Sequence, residues 1–99
     1  MAMIGRAAVL EEMIGEYQEE RTVASSRLDE ARLRRAKLEL AREILVEHGE
    51  NAEADRLSVE IHDLDHKIRA GDEVLARLDR LTALFQKSLD KIREGSKTP

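Results

Sequence analysis

The sequence predicts an all-α fold: a long antiparallel two-helix coiled-coil hairpin that dimerises into a four-helix bundle. Three observations predict it. Apolar residues recur at alternating steps of three and four through each half of the chain, the spacing that keeps one seam turned to a partner helix. The two seams mirror each other about Gly49, so that residue numbers at facing positions add to 99. Finally, 38% of residues are charged and 2% aromatic, and the one proline is the last residue, Pro99. That is the composition of long helices rather than of a mixed α/β core, and no ring interrupts them.

The hairpin, 1–94, is one domain. Arm one spans about 3–48, with the seam Met3, Ala7, Leu10, Ile14, Tyr17, Arg21, Ala24, Leu28, Ala31, Arg35, Leu38, Arg42 and Leu45. The turn, 48–51, is His48-Gly49-Glu50-Asn51. Gly49 suits the left-handed position that closes a helix, and Asn51 suits the N-cap of the next. His48 is placed to interact with the negative end of arm one. Arm two spans about 52–94, with the seam Leu57, Ile61, Leu64, Ile68, Gly71, Leu75, Leu78, Thr82, Phe85, Leu89 and Ile92. Each arm is about 65 Å long at ~1.5 Å per residue. Gly95 reads as a C-cap, and 95–99 as a flexible tail.

The facing pairs support the hairpin independently. Ala7 meets Ile92, Leu10 meets Leu89, Ile14 meets Phe85, Ala24 meets Leu75, Leu28 meets Gly71 and Ala31 meets Ile68. Large residues repeatedly face small ones, so the helices can approach without voids. Tyr17 faces Thr82, and their hydroxyls are expected to meet. Arginine in an apolar seam needs a partner. Asp65, Asp72 and Asp79 lie seven residues apart, one step off the seam, which places Arg35 near Asp65 and Arg21 near Asp79. The arginine stems cover apolar surface while their heads reach the carboxylates. Arg42 has only Ser58 at its level. Ser25-Ser26 and Gly71 stand at nearly the same height, which reads either as two tolerated helix weakeners or as a shared hinge.

A two-helix hairpin buries one seam only, and this chain has more apolar surface to cover. Leu33, Ala36, Leu40 and Ile44 form a second stripe near the turn, while Val74, Leu81 and Leu84 widen the apolar face near the open end. Two hairpins packed with their turns at opposite ends would bring these stripes together twice. The expected partners are therefore a second copy, another helical protein, or both. With no cysteine there is no disulfide or thiolate chemistry, which fits a reducing cytoplasm. Charges interrupt the apolar N-terminus too early for a signal peptide or membrane span.

Nothing in the chain favours catalysis, so the expectation is a protein that is not an enzyme and carries no cofactor. There is no phosphate loop, no nucleophile turn and no Glu-x-x-His motif of a di-iron bundle. His62 and His66 share one helical face four residues apart, but lack a third ligand; no metal is assigned. The arginine-rich stretch from Arg27 to Arg42 is interleaved with glutamates and has no aromatics to stack bases. With a net charge of −4, this argues against nucleic acid. The expected function is a helical protein–protein interaction module: an adaptor, assembly factor or secretion-type chaperone.

Two alternatives follow from likeness of form. The string Glu47-His48-Gly49-Glu50-Asn51-Ala52-Glu53, with Asp55 beyond it, resembles the acidic hairpin tip of the Gre transcript-cleavage factors. That resemblance implies a regulator whose tip carboxylates, Glu47, Glu50, Glu53 and Asp55, act on a large enzyme such as RNA polymerase. The globular domain that follows the hairpin in that family has no counterpart here. A Rop-like RNA-binding bundle is the other alternative, and it requires steep salt dependence.

Overall fold

A computed structural model describes residues 5–97, with side chains from 5 to 95. It is the expected hairpin: α1 runs from Arg6–Glu47 and α2 from Asn51–Lys97, with no strand among the described residues. The molecule measures 76 × 26 × 14 Å, a single layer two helices wide. Its radius of gyration is 22.0 Å, against about 13 Å for a compact chain of this length. No described helix is long and apolar enough to cross a membrane.

The turn is built from backbone hydrogen bonds. Gly49 adopts φ 76°, the left-handed conformation that needs no Cβ. The Gly49 N–H donates to the Val46 carbonyl at 3.1 Å and the Glu50 N–H to the Leu45 carbonyl at 2.9 Å. Together these bonds make a Schellman motif closing α1 at His48. The Ala54 N–H donates to the Glu50 carbonyl at 3.0 Å, so Glu50 is the residue before the helix and Asn51 its first member. The expected Asn51 cap is thus displaced by one residue, because the reversal is completed by backbone groups alone. At the other end α2 continues through Gly95 to Lys97, so the expected stop at Gly95 is not where the helix ends. Met3, the expected first seam residue, lies outside the described residues, as do 98 and 99 of the expected tail.

The buried core is thin. Among the described residues, Ile14, Leu28 and Leu38 of α1 and Ala54, Ile61, Leu78 and Leu89 of α2 are its members. Six are expected seam positions, and Ala54 extends the second seam one step toward the turn. The mirror register holds where it can be checked most sharply: a methyl group on Gly71 would sit 2.9 Å from Leu28 Cδ1. Both helices run unbroken past Ser25-Ser26 and Gly71, so neither site is a break. Gly71 is a socket for Leu28.

One seam pairing differs. The Tyr17 and Phe85 rings pack with centroids 5.3 Å apart and planes tilted by 50°. Thr82 Oγ1 is left buried with no hydrogen-bond partner. An aromatic pair adds favourable edge and face contact that the hydroxyl pairing forgoes.

Candidate interaction surface

The seam divides the hairpin into two broad faces that differ in how their charges are paired. Five ion pairs join α1 to α2 among the described residues: Arg21–Asp79, Arg35–Asp65, Arg32–Asp72, Arg93–Glu11 and Arg34–Glu60. The first four lie on one face. Their flanking members Glu11, Arg32, Asp65, Asp72, Asp79 and Arg93 each follow a seam residue directly. Arg42 belongs to the same face, with Nη1 donating to Ser58 Oγ at 3.4 Å and that hydroxyl donating to the Ala54 carbonyl. Arg34 and Glu60 each precede a seam residue instead, and their 3.3 Å pair bridges the opposite face near the turn.

The expected seam pairs are therefore formed. The Arg35 guanidinium donates to Asp65 and also to Glu39 at 2.9 Å. The Asp65 carboxyl is held below the usual carboxylate range, chiefly by the Arg35 hydrogen bond, against the opposing effect of partial burial. Arg21 and Arg35 are correspondingly more basic than a free guanidinium, again mainly through their hydrogen bonds to Asp79 and Asp65. The Arg32–Asp72 pair at 2.7 Å and the Arg93–Glu11 pair were not foreseen. Their sequence signal is a flank-to-flank sum of 104, slightly beyond the seam register.

The opposite face carries three grooves in which aliphatic and charged side chains are mixed, while a fourth, lined by Glu39, Arg42, Glu43, Val46 and Glu47, lies on the ion-pair face near the turn. Near the open end a groove is lined by Val9, Leu10, Met13, Phe85 and Ile92. A second, toward mid-length, is lined by Val23, Ala24, Val74 and Leu78, with Glu16, Glu19, Glu20 and Arg27 at its margins. A third follows around Ala24, Ala31 and Gly71, flanked by Arg27 and Lys67. Val23 and Val74 are about half exposed. Unlike the members of the five bridging pairs, Glu16, Glu19, Glu20, Arg27 and Lys67 make no ion pair or hydrogen bond with any described residue.

The expected interface residues fall in different places. Val74 and Leu81 share the heptad position that lines the grooved face, and Leu84 shares that of Lys91, which flanks the open-end groove. Ile44 occupies the heptad position of Val9 and Val23, at the turn end of the same face. Leu33 and Leu40, each 58% exposed, stand with Ala36 on the back of α1, away from α2. The expected second stripe is therefore split, because its members drift around the helix. The grooved face gains Val9, Met13 and Val23, whose i, i+4 and i+14 spacing was legible but overshadowed by the seam.

At the tip, Glu47, Glu50, Glu53 and Asp55 are all exposed, and Glu53 accepts a hydrogen bond from Arg56 at 3.1 Å. The His62 and His66 rings meet edge to face with Nε2 atoms 3.2 Å apart. One imidazole donates and the other accepts. Among the described residues no group of three histidine, cysteine or acidic side chains is arranged to hold a metal ion. No known protein family, curated protein or solved structure matches the chain.

Proposed function

We propose that the protein is a non-enzymatic helical interaction module that binds another helical surface through its grooved face. The observation that supports this reading is the contrast between the two faces. On one, four ion pairs tie α1 to α2 along most of the length, although Glu43 and Glu47 stand unpaired beside the exposed Val46 near the turn. On the other, large aliphatic side chains and unpaired charges stand together in grooves of the kind that accept ridges of a docked helix. An apolar surface of this sort is costly to leave in water and characteristic of interaction sites.

The test is a double substitution, Val74→Glu with Leu84→Glu. Neither residue is in the seam, so circular dichroism should show an unchanged helical content. Association with itself, followed by light scattering, or with a captured helical partner, should weaken at least about a hundredfold, since each aliphatic side chain contributes on the order of 1.5–3 kcal/mol when buried. Unaltered association of every kind overturns the assignment of this face.

A further inference from the structure

We infer that the occupant of the grooved face is a second copy of this chain, set antiparallel, with a two-fold axis crossing α1 between Val23 and Ala24. The inference rests on the proposed use of that face and adds its partner and register. Glu20 and Arg27 are seven residues apart and occupy the same heptad position, two helical turns or about 10.5 Å from each other. Both margin the groove that holds Val23, Ala24 and Val74. The acidic group Glu16, Glu19 and Glu20 lies on the open side of this apolar waist, and Arg27 with Lys67 on the turn side.

Within this pattern Glu20 and Arg27 are each other's complement under rotation. A two-fold axis lying in the face, perpendicular to the hairpin, lays α1 of one copy along α1 of the other in the opposite direction. Residue numbers at facing levels on α1 then add to about 47, so Glu20 meets Arg27 of its mate twice, while the valines close on each other at the axis. A parallel arrangement would offer no such exchange of acid for base. Neither Glu20 nor Arg27 has an ionic partner within the described hairpin, so neither must surrender one.

The elongated hairpin also leaves more surface in water than a compact chain would. The hairpin exposes 7832 Å², whereas a compact protein of 11.3 kDa exposes about 5,700 Å². The excess, roughly 2,000 Å² spread over all sides of the elongated hairpin, leaves room for the ~800 Å² that one partner contributes to a standard interface.

The experiment is analytical ultracentrifugation of the full chain across concentration, for wild type, Glu20→Arg, Arg27→Glu, the double variant, and an equimolar mixture of the two single variants. Both side chains are exposed and outside the seam, and circular dichroism checks that the hairpin is retained. Wild type should be a dimer. Each single variant places like charges opposite each other and should weaken dimerisation at least about tenfold. The double variant restores the pairing, and the two single variants prefer each other to themselves. A wild type that stays monomeric overturns self-pairing while leaving the face open to a different helix. A dimer indifferent to either charge reversal, or not restored by the double, overturns the register.

Discussion

At the residue scale, Thr82 is where the chain departs most from its own pattern. Its hydroxyl is buried in the seam without a partner, because Tyr17 turns to Phe85 instead. An unmet buried hydroxyl costs about 1–3 kcal/mol. Thr82→Val keeps the shape and removes that cost, and should raise stability by about 1 kcal/mol in urea unfolding. A loss of stability would mean that the hydroxyl is satisfied. The seam position of Thr82 was legible in the heptad, but its partner was not. Periodicity fixes the level of a side chain, and rotamer competition with a neighbouring ring fixes what it touches. The arginines show the opposite case. Asp65 and Asp79 could be matched to Arg35 and Arg21 from numbering alone, since a long side chain with a charged head has few places to go.

At the element scale, two glycines inside helices make the same substitution do different things. Nothing lies within 4 Å of a methyl group placed on Gly15, whereas on Gly71 it would meet Leu28 at 2.9 Å. Gly15→Ala should stabilise α1 by about 1 kcal/mol, the difference in helix propensity. Gly71→Ala should fall short of that gain, because Leu28, almost wholly buried, must move. Equal gains, read from thermal melts of the two variants, would show that the socket is loose. The facing of Leu28 and Gly71 is legible in the sequence, since both numbers fall on the mirror. The extent of α2 was not. A glycine near the end of a helix is as compatible with continuation as with capping, and the choice depends on backbone bonds that sequence does not display. The same holds for the first residue of α2, where carbonyl and amide groups close the turn without help from the Asn51 side chain.

At the scale of the whole molecule, the two-helix architecture followed from periodicity, and the division into faces did not. The heptad says which residues point inward. It is silent on which flank carries paired charges, because that depends on how flanking residues of two helices reach across to each other. The grooved face emerges only when Glu11, Arg32, Asp72 and Arg93 are seen to spend their charges on the other side. With seven buried residues among those described, along 76 Å, the isolated hairpin has little core to hold it. If a second copy covers the grooves, folding and association are linked by mass action, and the melting temperature should rise with protein concentration. A melting temperature constant over a hundredfold range of concentration would mean that the hairpin stands alone.

The backbone-closed reversal at Gly49 also sets an order of events in time. Contacts beside it close loops of a few residues, while those between Leu10 and Leu89 must wait for almost the whole chain to be brought round. Since loop-closure entropy must be met before a contact forms, the chain is expected to assemble as a zipper that starts at the reversal and travels outward, which φ-values along the two helices would check. Residues such as Ala54 and Ile61 then belong to the nucleus, and their truncation slows folding. Ile14 and Leu89 engage last, and truncating them mainly hastens unfolding.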